Sequence, residues 1–273
     1  MINHRYKLLV VDIDGTLIGK DGNILPQDKE ALTKASDLGI KVSLSTGRAA
    51  QACLSLVSQL ALDSYHIFFD GALVSNLAQN QEVYIQPLNK GVVKQAIKFA
   101  QLNDIDLDLY STTHYFIERE TWSSKVHRDF FDLKPILVDF TELWKRERII
   151  KLGLVTTSPQ EAAKVRKFHH KFEDSLNFSW VRTPAFPGVD FINVVAPGVS
   201  KGEALKALAS HLGIALTEVI AIGDGMNDIP LLSLAGLGIA MGNAPAEVKA
   251  VADYTTLDVK YGGLAAAIER FLL

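Results

Sequence analysis

Cysteine is nearly absent from this chain, which holds one, Cys53, among 273 residues. An internal disulfide is therefore excluded. Cys53 lies in the apolar-rich stretch 49–60, and we expect a core residue there because a reactive thiol needs a polar, electropositive setting. Apolar runs long enough to span a bilayer are also missing, and the polar segment 1–7 lacks the apolar stretch of a signal peptide. We therefore expect a cytoplasmic protein with no membrane partner.

Dense runs of Lys and Arg are missing too, and the formal net charge is −3. The basic stretch 145–148 is interrupted by Glu147 and is typical of a solvated surface, so we expect no nucleic-acid partner. Internal repeats and low-complexity segments do not occur. The apolar fraction of 48% and the charged fraction of 22% are ordinary for a globular protein with one large or two smaller α/β domains.

The first part of the chain alternates strand and helix signals. Residues 8–13 form a short, almost wholly apolar run, as expected of a strand that is buried on both faces. Pro26 suits the first turn of a helix, and Gly39 suits its C-terminal cap. Such a βαβαβ pattern implies a parallel sheet with right-handed crossovers. The predicted elements are strand 8–13, helix 27–38, strand 40–45, helix 48–60 and strand 65–69.

The last part of the chain repeats this alternation, whereas the middle, from about 82 to 187, is richer in charge and aromatic residues. Its mixture of helices and strands predicts a separate α+β domain inserted into the first, and the turn residues Pro184, Pro187 and Gly188 indicate where the chain returns. The predicted strands of the middle and last parts are 105–110, 115–118, 149–156, 178–182, 189–194, 219–222 and 238–240. The predicted helices are 90–103, 122–131, 159–172, 201–212, 229–234 and 264–272.

Four polar clusters follow strand-like runs, and the first is Asp12-Ile13-Asp14-Gly15-Thr16. Ligands of open parallel sheets bind beyond the carboxyl ends of the strands, so this shared placement could bring distant segments together. The two carboxylates point the same way on an extended chain and repel each other unless a cation or proton intervenes. Ile13 points the opposite way and offers its backbone N–H to an anion. Isolated, this pattern is more often a solvated turn, but directly after an apolar strand it indicates a site.

The second cluster, Ser45-Thr46-Gly47-Arg48, follows an apolar strand and opens a helix. Hydroxyls and N–H groups in such a turn suit a phosphate, and a plain helix N-cap is the alternative. The third is Lys201 at the start of a helix, where the helix dipole disfavours a cation. This misplacement indicates a nearby anion, and an ordinary surface lysine is the alternative.

The fourth cluster, at 223–228, reads Gly-Asp-Gly-Met-Asn-Asp and follows another apolar strand. Its two carboxylates and one carboxamide provide oxygen ligands of the kind that suit Mg²⁺. An acidic turn with an aspartate N-cap is the alternative. That alternative explains Asp228 well and Asp224 poorly.

Together, the Asp-x-Asp-Gly-Thr, Thr-Gly-Arg, Lys and Gly-Asp-x-x-Asn-Asp clusters resemble the motifs of the haloacid dehalogenase superfamily. The insertion between the second and third motifs is similar to that of the Cof-type branch, subfamily IIB. The resemblance implies an α/β fold with a Rossmann-like, doubly wound parallel-sheet core at 1–83 and 188–273. It also implies an inserted α+β cap domain of the C2B type at 84–187.

The resemblance further implies a role for each matching position. Asp12 would be the nucleophile and Asp14 the general acid and base. Mg²⁺ would be held by Asp12, the backbone carbonyl of Asp14, and Asp224, because four aspartates facing one lysine would otherwise repel a phosphate. Asp228 would orient the metal ligands or the lysine. The phosphate would be held by the Ile13 N–H, Thr46, Gly47, Lys201 and Asn227.

One position departs from the Cof-type pattern, because Asp70-Gly71-Ala72 stands where the family usually has Asn-Gly-Ala. Asp70 could face the leaving group of the substrate and prefer hydroxyl donors, as on a sugar. A loop aspartate satisfied by local backbone N–H groups is the alternative. Arg48 is a second candidate for contact with the substrate.

The function implied by this resemblance is a Mg²⁺-dependent phosphatase that acts on small phosphorylated metabolites, with sugar phosphates first. Asp12 would take the phosphoryl group, and water would then hydrolyse the aspartyl-phosphate. One alternative is a phosphohexomutase, since phosphomannomutases are similar to this subfamily. Another is a non-catalytic metabolite sensor, although loss of Asp12, Asp14 or Asp224 would then be expected. A haloalkanoic dehalogenase is disfavoured because its reaction needs neither Asp14 nor the metal.

Overall fold

The computed structural model describes residues 5–20, 22–131, 133–181 and 186–273, so the predicted turn residue Pro184 lies outside the described part. The described backbone divides into two compact units. The first unit takes its residues from Met1–Gly47, Ser55–Tyr84 and Ser200–Leu273, and the second from Arg48–Leu54 and Ile85–Val199.

The described residues form fourteen strands and ten α-helices. The strands are β1 (Leu8–Asp12), β2 (Lys41–Ser45), β3 (His66–Phe68), β4 (Leu73–Asn76), β5 (Gln81–Ile85), β6 (Asp108–Tyr110), β7 (Tyr115–Ile117), β8 (Ile136–Leu137), β9 (Lys151–Thr156), β10 (Asn177–Val181), β11 (Asp190–Val195), β12 (Val219–Gly223), β13 (Leu237–Ala240) and β14 (Tyr254–Thr255). The helices are α1 (Pro26–Asp37), α2 (Leu54–Gln59), α3 (Lys90–Leu102), α4 (Trp122–Phe131), α5 (Leu143–Arg146), α6 (Pro159–Phe172), α7 (Lys201–Leu212), α8 (Ile229–Leu234), α9 (Ala246–Val251) and α10 (Gly263–Phe271).

An eight-stranded sheet forms the centre of the first unit, in the order β14-β13-β12-β1-β2-β3-β4-β5. The strands from β14 to β3 run parallel, and β4 is antiparallel to β3. Leu8 and Val10 of β1 belong to one apolar cluster with Leu205 of α7, and the alternate residues Leu9 and Val11 are buried as well. The strand is thus covered on both faces, which confirms the predicted α/β fold with a parallel-sheet core.

A six-stranded sheet forms the second unit, in the order β10-β11-β9-β6-β7-β8. The predicted boundary at 187/188 placed the strand at 189–194 in the core, and here the structure differs. Strand β11 pairs antiparallel with both β9 and β10, and the first unit resumes only at Ser200. An apolar run identifies a strand but not its partner, because pairing joins residues far apart in the sequence.

The helix predicted at 48–60 also differs from the structure. A 3-10 turn at Ala50–Cys53 precedes α2, which begins only at Leu54. Cys53 is buried and forms no disulfide, as expected. Across the described residues, no helix is both long and apolar enough to cross a membrane.

Local sequence explains where α7 begins and ends. The Ser200 hydroxyl accepts a hydrogen bond from the Glu203 N–H and caps the N-terminus, and Gly213 follows the last turn with a φ of 65°. Lys201 therefore occupies the first position of this helix, at the carboxyl edge of the first sheet.

The turn between β3 and β4 holds three consecutive residues in the left-handed region. The φ angles of Phe69, Asp70 and Gly71 are 53°, 56° and 101°. This conformation is unfavourable for residues that carry a Cβ atom. Gly71 also packs against the backbone of Ser200, because a Cβ atom added there would lie 2.2 Å from the Ser200 carbonyl oxygen. The strained turn fixes where Asp70 lies.

Candidate active site

Neighbouring parallel strands bring the predicted site residues to one edge of the first sheet. Asp12 is the last residue of β1, whose two neighbours in the sheet are β2 and β12. Thr46 follows β2 directly, and Asp224 follows β12. The carboxyl ends of three adjacent strands thus lie side by side, as expected for the ligand-binding edge of an open α/β sheet.

Lys201 lies between two carboxylates at this edge. Its Nζ donates to Asp12 Oδ1 and to Asp228 Oδ1, each at 2.6 Å, and lies 3.5 Å from the carbonyl oxygen of Ser45. The side chain is only 1% exposed. Burial alone would lower the pKa of Lys201, but Asp12 and Asp228 outweigh it and raise that pKa. Lys201 is therefore a buried cation, and these carboxylates explain its place at a helix N-terminus.

The aspartates of the site are crowded together. One carboxylate oxygen from each of Asp12, Asp224 and Asp228 lies within 4.8 Å of the other two. Burial raises the pKa of Asp12 well above its usual range, Asp228 adds to the rise, and Lys201 opposes it. Burial likewise raises the pKa of Asp224 to about 7, with a further contribution from Asp228. Three carboxylates and one ammonium group leave the site with excess negative charge. Carboxylate oxygens are also the ligands that hard divalent cations prefer, so the site fits such a cation.

Asp228 shapes the loop that follows β12. Its Oδ2 accepts hydrogen bonds from the backbone N–H groups of Asp224, at 3.0 Å, and Gly225, at 2.8 Å, while its other oxygen binds Lys201. A Cβ atom at Gly223 would lie 2.6 Å from the Asp228 carboxyl carbon, so this close approach requires glycine. The buried carboxylate thereby links Lys201 to the backbone that carries Asp224.

The loop after β1 packs against Asp224. A Cβ atom added at Gly15, which has a φ of 93°, would lie 2.2 Å from Asp224 Oδ2. The Thr16 hydroxyl donates to Asp224 Oδ1 over 3.4 Å. Asp14 is exposed, and its charge is one of the factors that raise the pKa of Asp224. One carboxylate of the Asp-x-Asp pair is therefore buried and the other is open to solvent.

Asp70 joins the site from the strained turn after β3. Its Oδ1 accepts a 2.8 Å hydrogen bond from Asn227 Nδ2, and its backbone N–H donates to the carbonyl of Thr46 at 3.0 Å. A Cβ atom at Gly47 would lie 2.8 Å from the same Asp70 oxygen. Asp70 thus contacts the segments that carry three of the predicted phosphate ligands, and its charge also acts on Lys201.

Arg48 and Ile13 are the remaining predicted residues. Arg48 belongs to the second unit. Ile13 is fully buried after β1, and its carbonyl accepts from the N–H groups of Leu17 and Ile18, which closes the turn around Asp14 and Gly15.

Asn243 is a residue of the site that the sequence reasoning missed. Its Nδ2 donates to Asp224 Oδ2 at 3.0 Å and to the Gly15 carbonyl at 2.8 Å. Asn243 stands in Met-Gly-Asn directly after the apolar strand β13. The four predicted clusters were identified as polar residues just beyond an apolar strand. The same criterion applies to this fifth position.

Comparisons with known proteins agree with this architecture. The sequence profile of haloacid dehalogenase-like hydrolases matches residues 9–268. The 5-amino-6-(5-phospho-D-ribitylamino)uracil phosphatase YcsE of Bacillus subtilis is 29% identical, over 98% of this chain and 96% of its own. BT1666 of Bacteroides thetaiotaomicron, described as a phosphatase of the same superfamily, superposes with a TM-score of 0.80 at 28% identity, over 99% of this chain and 96% of its own.

A second solved structure is described as the subclass IIB sugar phosphatase BT4131. It superposes with a TM-score of 0.80 at 25% identity, over 97% of this chain and 98% of its own. The chain also matches an Arabidopsis thaliana protein named Endoribonuclease YBEY, chloroplastic, at 28% identity over 98% of the chain. This chain spans only 47% of the length of that relative.

Fold, site and relatives together define a phosphatase, an enzyme whose substrates are small phosphorylated molecules. The chain belongs to the haloacid dehalogenase-like hydrolases, in their Cof-type branch.

Proposed function

We propose that this phosphatase is Mg²⁺-dependent and hydrolyses sugar phosphates and similar small monoesters through an aspartyl-phosphate at Asp12. The observation that carries the proposal is the buried Asp12–Lys201–Asp228 arrangement beside Asp224. The buried ammonium group of Lys201 fixes the position of the Asp12 carboxylate. The excess negative charge of the three aspartates favours binding of a second cation. Both features suit a carboxylate nucleophile that reacts with an anionic substrate.

Asp12, the backbone carbonyl of Asp14, and Asp224 would hold the Mg²⁺. Their oxygen donors match the preference of this ion, and the crowding of three carboxylates within 4.8 Å supports a divalent cation there. When bound, Mg²⁺ supplies positive charge that offsets the carboxylates and polarises the phosphoryl oxygens.

Asp12 and Asp14 would divide the chemistry between them. An Asp12 oxygen attacks phosphorus and forms an O–P bond while the bond from phosphorus to the leaving oxygen breaks, and Asp14 donates its proton to that oxygen. Asp14 then accepts a proton from water, whose oxygen bonds to phosphorus and releases Asp12. Lys201 fixes the Asp12 carboxylate at the end of β1, as a nucleophile requires, and Asp14 is open to solvent, where it could exchange a proton with the leaving group and with water.

The remaining groups at the strand ends would bind the phosphoryl oxygens. Lys201 is a cation at a helix N-terminus, and both positive features attract an anion. Asn227 has an amide group whose position is fixed by Asp70. The proposed phosphate ligands are the Ile13 N–H, Thr46, Gly47, Lys201 and Asn227.

The Asp70 carboxylate supports the expectation that the substrate carries hydroxyl groups. A carboxylate accepts hydrogen bonds and donates none, so a hydroxyl next to the phosphate would be favoured at this position. BT4131 is described as a sugar phosphatase, and the YcsE substrate carries a phosphoribityl group by name. We propose Arg48 as a further substrate contact, and the second unit as the C2B-type cap that selects the substrate.

Phosphate release from a panel of sugar phosphates, nucleotides and pyridoxal phosphate tests the proposal. The panel is run with Mg²⁺ and with EDTA, for the wild type, Asp12→Asn and a control, Asp174→Asn, which changes an exposed aspartate of the second unit. We expect Mg²⁺-dependent release, highest with sugar phosphates, that is lost in Asp12→Asn and retained in the control.

Other outcomes would point elsewhere. Slow release that requires a bisphosphate would favour the phosphohexomutase. No release from any compound by a folded protein would contradict the phosphatase and favour the phosphohexomutase or the metabolite sensor.

A further inference from the structure

Asn243 lies in the loop between β13 and α9, and its side chain joins three separate segments. Its Nδ2 contacts Asp224 Oδ2 at 3.0 Å and the Gly15 carbonyl oxygen at 2.8 Å. Its Oδ1 accepts from the Val259 N–H at 2.9 Å. The carboxamide is thus bonded to the loop after β1, the loop after β12 and the turn before α10.

The chemistry of these partners fixes which way the amide faces. A backbone N–H can only donate, so the Val259 side of the amide must be its oxygen. The Gly15 carbonyl can only accept, and the Asp224 carboxylate accepts when ionised, so both must face the NH₂ group. A flipped amide would lose all three bonds, and Asn243 therefore presents both of its donors to the site.

The segment on the far side of Asn243 is itself well fixed. Val259 opens a 3-10 turn in which the Asp258 side chain accepts a hydrogen bond from the Lys260 N–H. The Gly242 N–H donates to the Leu257 carbonyl at 2.9 Å, and a Cβ atom at Gly242 would lie 2.5 Å from the Asp258 nitrogen. Asn243 is therefore anchored on rigid backbone and can transmit that rigidity to Asp224.

The Asp224 carboxylate is held at both oxygens. Asn243 donates to Oδ2, and the Thr16 hydroxyl lies 3.4 Å from Oδ1, a longer and weaker contact. An amide is also neutral, so it orients the carboxylate without adding charge to a crowded anionic site. Hydrogen-bonded partners behind a ligating carboxylate set its direction and its affinity for the cation.

We propose that Asn243 is a positioning residue that orients the Asp224 carboxylate for a divalent cation and holds the Gly15 turn beside it. This inference rests on the proposed function, because Asp224 is there a Mg²⁺ ligand. Asn243 itself acts through Asp224.

Calorimetric titration of the full chain with Mg²⁺ tests the proposal apart from catalysis. The variants are Asn243→Ala, which removes the amide, and Asn243→Leu, which removes it while keeping a branched side chain with the same number of non-hydrogen atoms. The matched control is Lys249→Met, because Lys249 Nζ binds the Gly242 carbonyl at 2.6 Å in the same loop. This control loosens the loop and removes no contact to Asp224.

We expect both Asn243 variants to bind Mg²⁺ about 10- to 100-fold more weakly than the wild type, as is usual when such a partner is lost. The Mg²⁺ concentration for half-maximal phosphate release should rise by a similar factor, with kcat largely recovered at saturating Mg²⁺. Lys249→Met should bind Mg²⁺ within about twofold of the wild type, even if its thermal midpoint falls.

Wild-type affinity in a folded Asn243 variant would overturn the inference, and so would an equal loss in Lys249→Met, since the effect would then belong to the loop. If Asn243→Ala does not fold, Asn243→Leu, which keeps the branched side chain, decides. A wild type that releases phosphate without binding Mg²⁺ would refute the proposed cofactor and this inference with it. Mg²⁺ binding without phosphate release would refute only the proposed activity.

Discussion

Lys201 holds two carboxylates of the site with one ammonium group, at 2.6 Å from each, and is almost completely buried. Its removal would leave Asp12 and Asp228 as buried charges without their shared partner. Breaking a buried ion pair from one side is far more costly than losing an exposed one. At the scale of single residues, Lys201 therefore serves both the fold and the chemistry.

Lys201→Met should lower both the stability and the activity. We expect the free energy of unfolding to fall by roughly 3 kcal/mol and phosphate release to fall at least about 100-fold. Urea unfolding and steady-state kinetics measure the two effects. The matched control is Lys206→Met on the same helix, whose Nζ forms an exposed ion pair with Glu203 at 2.7 Å and should change stability by less than about 1 kcal/mol. Equal effects in the two variants would contradict the role of Lys201.

Asp70→Asn tests the charge that the strained turn places beside Thr46, Gly47 and Asn227. The amide can still accept the Asn227 hydrogen bond, so the fold should be retained. Removal of a negative charge near an anion site should strengthen inhibition by inorganic phosphate about fivefold to tenfold. It should also reduce the preference for sugar phosphates over p-nitrophenyl phosphate. An unchanged inhibition constant together with an unchanged preference would show that Asp70 is only a structural turn residue.

Helices and strands with strong local signals are predicted well from the sequence. The bounds of α4, α6, α7 and α8 match the expected ones, since caps such as Ser158 and Ser200 act within one helical turn. Strand partners are less predictable, because pairing depends on distant residues. Strand β11 is the example, as its sequence suits either sheet, and its ladders with β9 and β10 place it in the second unit.

Strand β6 and helix α4 enclose a buried polar cluster in the second unit. The Ser123 hydroxyl donates to Asp108 Oδ2 at 2.7 Å, and His127 Nε2 lies 3.2 Å from the Tyr110 hydroxyl. Burial raises the pKa of Asp108 to about 7 and lowers the pKa of His127 to about 4. The Asp108 carboxyl should therefore be protonated in the folded protein at mildly acidic pH, where the unfolded chain is already ionised.

The sign of the resulting pH dependence follows from linkage. Between the ordinary pKa of 3.8 and about 7, the folded state holds a proton on Asp108 that the unfolded state has lost. Stability contributed by this group therefore falls as pH rises through that window, with a maximum slope of about 1 kcal/mol per pH unit. Relative to Asp108→Asn, the wild type should lose stability between about pH 5 and pH 7, as measured by urea unfolding. Parallel pH profiles for the two proteins would contradict this account.

At the scale of the whole molecule, the order of the strands brings together site residues that lie far apart in the sequence. Asp12, Thr46 and Asp224 lie far apart in the sequence, yet they are predictable together because adjacent parallel strands end at one edge of the sheet. Lys201, 189 positions from Asp12, reaches the same edge from the first turn of α7. The same rule applies to the position of Asn243 after β13, but neither its three contacts nor the left-handed turn at Asp70 can be predicted from local sequence. They depend on which loops face one another, which follows from strand order and not from local pattern.

Formation of an aspartyl-phosphate on Asp12 is the central claim, and rapid acid quenching tests it most directly. Asp14→Asn is mixed with p-nitrophenyl phosphate and Mg²⁺, because nitrophenolate leaves without a proton whereas release of phosphate from the enzyme needs Asp14 as the base. We predict a burst of about one nitrophenolate per active site, and a peptide containing Asp12 that carries one phosphoryl group by mass spectrometry. Steady turnover by the wild type, with neither a burst nor a phosphorylated peptide in Asp14→Asn, would contradict the account.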